Sequence, residues 1–119
     1  MYDPEYQPQG VIPACLLPFD RSLEIDEDSY RSHLRDLGGV EGVTAITVNG
    51  HAAEVHALTF DEQVRGLCVA VDELQDGPPL IAGVSTPSSL EAVRLAKMAS
   101  ENGGSALLVN TVSVVNSSF

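Results

Sequence analysis

The densest run of chemically able residues is Asn49-Gly50-His51-Ala52-Ala53-Glu54-Val55-His56. The small residues at 50, 52 and 53 let backbone N–H groups come close to a ligand, as in an anion-binding nest. A small acid such as a carboxylate is the guest this chemistry suits. The same loop admits a metal reading, because His51, Glu54 and His56 are of ligand type, and imidazole with carboxylate suits zinc or iron. Yet H-x-x-E-x-H matches no spacing with a mechanical rationale, and no fourth ligand is evident. No metal and no cofactor are therefore expected. The plainer reading makes His51 a polar loop residue, Glu54 a hydrogen-bonded anchor of the loop, and His56 an exposed side chain.

Other reactive groups are few. Cys15 and Cys68 lie in apolar stretches without metal-type spacing, and reduced, buried thiols of a cytosolic-type protein are expected. The chain holds 17 acidic against 6 basic residues, a formal charge of -11. So acidic a surface repels phosphate backbones and anionic lipid, so neither nucleic acid nor a membrane surface is an expected partner. No apolar run approaches the ~20 residues that span a bilayer. The first ten residues lack the basic and apolar regions of a secretory signal, so a cytoplasmic location is expected.

Elements must hold that loop in place. The apolar run 11–16 (VIPACL) reads as a strand, ended by Pro18 and a turn at Phe19-Asp20. Asp26 is an N-cap, with Glu27 and Asp28 at the positive end of the helix that follows. Tyr30, Leu34 and Leu37 form its inward stripe, and Gly38-Gly39 stop it. Residues 43–48 (VTAITV) are β-branched and read as a second strand. Thr59 and Glu62 make a capping box for a helix that turns Val64, Leu67, Cys68, Val71 and Leu74 inward. Residues 80–84 are a third strand, with Gly83-Val84-Ser85 taken as the tight turn leaving it. Ser88 and Glu91 are a second capping box, opening a helix with Ala92, Leu95, Ala96 and Ala99 on one face. That helix ends at Gly103-Gly104, and residues 106–109 begin a fourth strand.

Strands alternating with amphipathic helices mean a parallel α/β sheet. The strands start near 11, 43, 80 and 106. A (β/α)8 barrel of ~250 residues uses ~31 residues per unit, so this chain holds just under four units. It is either a small open sheet or half a barrel. In both, ligands bind at the carboxyl ends of strands, where residues 49–54 sit. The expected divisions are a loose, flexible N-terminal arm over 1–9, the α/β domain over 10–110, and a divergent tail over 111–119.

Four collinear segments resemble one known family. Gly10-Val11-Ile12-Pro13-Ala14 and Pro18-Phe19-Asp20 are similar to its first strand and Thr-Pro-Phe turn. Glu24-Ile25-Asp26 resembles the entry to its first helix. Val48-Asn49-Gly50-His51-Ala52-Ala53-Glu54, with Leu58-Thr59 and Glu62, resembles its Gly-Thr-Thr-Gly-Glu loop and the Leu-Thr-x-x-Glu after it. Leu80-Ile81-Ala82-Gly83-Val84, with Glu91-Ala92 and Leu95-Ala96, resembles its third strand and helix. The family is that of dihydrodipicolinate synthase and N-acetylneuraminate lyase, class I aldolases with a TIM barrel, and the resemblance covers its N-terminal half.

The resemblance implies a (β/α)8 lyase acting on pyruvate or a related 2-oxo acid through a Schiff base, in aldol reactions or dehydrations. It places substrate-carboxylate binding on Gly50, His51 and Ala52. The family's two threonines fall on His51 and Ala52, its last loop glycine on Ala53, and the threonine of its first turn on Leu17. Backbone N–H binding survives these changes, whereas a hydroxyl proton relay does not. Asn110-Thr111-Val112-Ser113 stands where the family has a Pro-Pro-Tyr-type loop. The family's catalytic tyrosine and lysine belong to later strands, so no catalytic residue is expected in this chain. Its one lysine, Lys97, is five residues beyond Ala92 and so ~140° from the alanine face of its helix. The expected partners are a weakly held 2-oxo acid and a second copy or a full-length relative, packed on the open half-barrel.

Overall fold

The computed structural model describes residues 3–110. The expected tail over 111–119 lies outside the described residues.

Helix α1, Glu27–Gly38, starts where the sequence places it, because the Asp26 side chain accepts the Ser29 N–H at 3.1 Å. Strand β1 is Ile46–Val48, three residues shorter at its start than the β-branched run predicts. The apolar run 11–16 is no regular strand. It meets the β1 chain through two isolated parallel bridges, Val11 with Val43 and Ala14 with Thr47. The offset between partners grows by one residue from the first bridge to the second, which is a bulge. Pro13 has no N–H to donate between the two bridges, so the ladder is interrupted there.

Helix α2, Phe60–Glu73, opens with the complete capping box of Thr59 and Glu62. Strand β2 is Leu80–Ser85, α3 is Ser89–Glu101 and β3 is Ala106–Asn110. The second capping box is only half formed. Ser88 accepts the Glu91 N–H at 3.2 Å, but the Ser88 N–H goes to Thr86 Oγ1, and the Glu91 carboxylate pairs with Arg94 instead. Gly103, at φ +99, lets the chain leave α3 with the Gly104 N–H bonded to Ala99 O.

The sheet is parallel in the order β1-β2-β3, with Val48 opposite Ala82 and Val84 opposite Val109. Tyr30, Leu34, Leu67, Ala70, Leu95 and Ala99 from the helices close over Ile46, Val48, Ala82 and Val84. The buried face of α2 is wider than the one predicted, whose Val64, Leu67, Val71 and Leu74 all pack on the core. Gln63, Gly66, Leu67, Val69 and Ala70 are fully buried, whereas Val64, Cys68, Val71 and Leu74 are partly exposed. On the added side the Tyr30 hydroxyl donates to Gly66 O at 2.9 Å and ties that edge of α2 to α1. Residues 3–9 run along the N-terminal ends of the strands, with Asp3 N–H on Ser105 O and Thr44 Oγ1 on Gln9 O.

On the outer side β3 is uncovered among the described residues: Leu107, Leu108 and Val109 are 39%, 46% and 60% exposed. A fully buried parallel strand would be sealed on both faces. The sheet is a partial, unclosed α/β fragment. Among the described residues no helix is long and apolar enough to cross a membrane.

Candidate functional site

Beyond Val48 the chain makes a compact double turn. Asn49 is buried and adopts φ +59, Gly50 returns to extended backbone, and His51–Ala53 forms one turn of 3-10 helix. Glu54, at φ +56 and ψ +46, is a left-handed joint into a second such turn, Val55–Ala57. The turns close on themselves through Ala53 N–H to Gly50 O, Glu54 N–H to His51 O, Ala57 N–H to Glu54 O and Leu58 N–H to Val55 O. Ala53 and Val55 point into the core at 4% and 2% exposure, while His51, Ala52, Glu54 and His56 face outward. The capping box of α2 then fixes the exit at Thr59.

The turn leaves donors free. The first N–H groups of any short helix have no partner within it. Among the described residues the backbone N–H groups of Gly50, His51 and Ala52 have no acceptor, and no side chain caps Gly50. All three residues named from the sequence thus share one turn at the carboxyl end of β1, with Gly50 buried and the other two exposed.

The other assignments to this loop separate. His51, Glu54 and His56 do not converge, and no cluster of three or more His, Cys, Asp or Glu side chains fit to hold a metal exists among the described residues. The Glu54 carboxylate makes no hydrogen bond there either. What holds the loop at that position is the backbone bonding of Glu54 to His51 and Ala57, with Ala53 and Val55 buried on either side, not the Glu54 side chain.

Two glycines do what sequence reasoning missed. Gly83 lies inside β2 rather than after it, and a Cβ there would sit 2.1 Å from the Asn49 carbonyl oxygen and 3.2 Å from Gly50 N. The exit of β1 therefore crosses β2 at a distance only glycine permits. A Cβ on Gly66 would approach Asn49 Oδ1 to 3.3 Å and Leu17 to 3.8 Å. A glycine within a β-branched run was the available signal for close approach. Gln63 was also missed. It is buried, its carbonyl oxygen accepts from Asn49 Nδ2 at 3.0 Å, and its own Oε1 has no partner among the described residues.

Two hollows flank the turn. One of about 340 Å³ is walled by Phe19, Leu23, Ala53, Ala57, Leu58 and the acidic Glu54 and Glu62. The other, about 310 Å³, opens at the carboxyl end of β2 beside His56, Gln63, Ser85, Thr86 and Glu91. Behind them, Cys15 Sγ stands 3.8 Å from the Tyr30 hydroxyl, and burial pushes the thiol up to about 11. Burial raises the Tyr30 phenol further still, so both groups are neutral structural atoms. Lys97 is exposed on α3.

A family profile, described as the dihydrodipicolinate synthetase family, matches residues 7–112. The chain belongs to this family. A 4-hydroxy-tetrahydrodipicolinate synthase of Salinibacter ruber is 36% identical over 101 residues, 85% of this chain and 33% of that protein. One from Natronomonas pharaonis is 32% identical, over 84% of this chain and 33% of its own length. Among solved structures, the dihydrodipicolinate synthase of Aquifex aeolicus superposes with a TM-score of 0.79 at 32% identity, over 85% of this chain and 34% of that one. CdNal from Clostridium difficile, solved in complex with mannosamine, gives 0.81 at 32% identity, over 87% and 36%. The chain spans about a third of the length of the family members it matches. Its open sheet is accordingly a part of the family's (β/α)8 barrel.

Proposed function

We propose that these residues form the carboxylate-binding wall of a Schiff-base lyase acting on pyruvate or a related 2-oxo acid, and that the imine-forming amine comes from outside the 119 residues. The observation that carries this reading is the turn at Gly50, His51 and Ala52, whose backbone N–H groups are unpaired among the described residues at the carboxyl end of β1. N–H bonds to a carboxylate are charge-assisted and about twice as strong as neutral ones. The family's lyase activity supports the substrate class. Its setting here is acidic, with Glu54 and Glu62 beside the turn, and it is open to water. The chain alone should therefore hold pyruvate at about millimolar Kd, ~4 kcal/mol. Titration followed by amide shifts of Gly50, His51 and Ala52 tests this; no shift at 20 mM pyruvate would sink it.

No imine chemistry is assigned to Lys97. An ordinary lysine is ~0.04% neutral at pH 7, and an amine nucleophile needs a desolvated pocket to change that. Lys97 is on the exposed side of α3. Borohydride reduction with pyruvate and peptide mapping should leave it unlabelled, and stoichiometric, pyruvate-dependent labelling of Lys97 would overturn the assignment.

A second reading is favoured by the apolar edge at Leu107, Leu108 and Val109, which is uncovered among the described residues. In it the chain is a non-catalytic, cytoplasmic half-barrel that packs on a second copy or on a full-length relative. The two readings part on whether pyruvate binding appears in the chain alone or only after the edge is covered.

A further inference from the structure

We infer that Asn49 is a positioning residue of the carboxylate-binding turn: it holds the Gly50–Ala52 donors at the end of β1 by clamping the chain between α2 and β2. The inference rests on the reading of that turn given above and deepens it. Three features define the clamp. The Asn49 backbone is left-handed at φ +59, a conformation that asparagine tolerates better than other residues with a side chain, apart from aspartate. Its carbonyl lies against Gly83 so closely that a Cβ there would stand at 2.1 Å, which leaves the Asn49–Gly50 peptide no room to slide along β2. Its side-chain Nδ2 donates to Gln63 O at 3.0 Å, in the first turns of α2, while its Oδ1 is buried without a hydrogen-bond partner among the described residues, where a Cβ on Gly66 would stand 3.3 Å away.

The residue is 2% exposed, so this amide bond is sheltered from competing water. The hydrogen bonds inside the 3-10 turn join only residues of the turn to one another, through Ala53 to Gly50 and Glu54 to His51. They shape the turn but do not anchor it to the sheet. Asn49 is the link from β1 and α2 into the peptide that carries the first free N–H. A ligand read by adjacent backbone donors is sensitive to their mutual placement, because donors fixed beforehand cost less to order on binding.

Hydrogen–deuterium exchange by mass spectrometry on the full chain tests this without requiring any ligand. Asn49→Gly keeps the left-handed backbone and removes the anchor; Asn49→Asp keeps the size and left-handed tolerance and removes the donor. In both, exchange in the peptide over residues 51–58 should rise about tenfold, with the β2 peptide nearly unchanged. Pyruvate protection of the same peptide should then need about fivefold more pyruvate than in the parent chain. A parent chain that ignores pyruvate, with the exchange effect intact, would remove the carboxylate reading and leave the positioning role standing. Unchanged exchange over 51–58, an equal rise in β2, or loss of the fold in both variants would each overturn the positioning role.

Discussion

Gly83 shows how one missing side chain decides the path of the turn packed against it. Its Cα lies under the Asn49 carbonyl, so Gly83→Ala must push β1's exit away or separate β1 from β2. Overpacking of this kind costs ~1–3 kcal/mol, and chemical denaturation should show a midpoint lowered accordingly. An unchanged midpoint would mean the strands yield more easily than the contact indicates. Cys15 offers a second check at the same scale. Its thiol is buried, with its pKa pushed up to about 11, whereas Cys68 is partly exposed and rests on Asn102 Oδ1 at 3.4 Å. Thiolate is the reacting form, so iodoacetamide at pH 8 should modify Cys68 and spare Cys15 until the chain unfolds. Equal rates in the native protein would contradict the packing of Cys15 on Tyr30.

Between elements, α1 and α2 are joined outside the core by a charge network. Glu27 accepts from Arg31 and Arg65, and Arg31 and Arg35 reach Glu73, with Asp72 on Arg31 at 2.7 Å. The arginines hold the Glu27 and Glu73 carboxyls below their ordinary value of 4.5. A depressed carboxylate contributes stability above its unfolded pKa and loses it as pH falls through the folded one. The melting temperature should therefore fall as pH drops below about 4.5, and 0.5 M salt should flatten that dependence, since exposed pairs are screened. A profile insensitive to salt would point to the core instead. The helices themselves were legible: Asp26, Thr59 and Ser88 each cap where their residue type predicts. The burial of Gly66 on α2 was not, because the bond from Tyr30 to Gly66 O spans 36 residues and leaves no local periodicity.

For the whole molecule, the sheet stops at β3 with Leu107, Leu108 and Val109 bare among the described residues. An uncovered edge strand is a template for pairing. A chain of 119 residues carrying this surface should associate in solution despite its charge of -11. Light scattering should give a mass above 12.6 kDa, rising with concentration; a sharp monomer with a cooperative melt would refute it. The same edge is what the family's remaining barrel units occupy in a closed (β/α)8 sheet.

By itself the sequence determined the alternation of elements, the parallel sheet and the caps of the helices, and it singled out the loop at residues 49–54 as the candidate for ligand chemistry. Each of these rests on short-range physics: side-chain period, propensity and capping geometry act within a few residues. Only the tertiary structure decided that Pro13 reduces the first strand to two bridges, that α2 turns Gly66 inward, and that His51, Glu54 and His56 stand apart. It alone showed that Asn49, Gly83 and Gln63 frame the turn. These depend on contacts between residues 14 to 36 positions apart, and such contacts form only when the strands and helices have closed on one another.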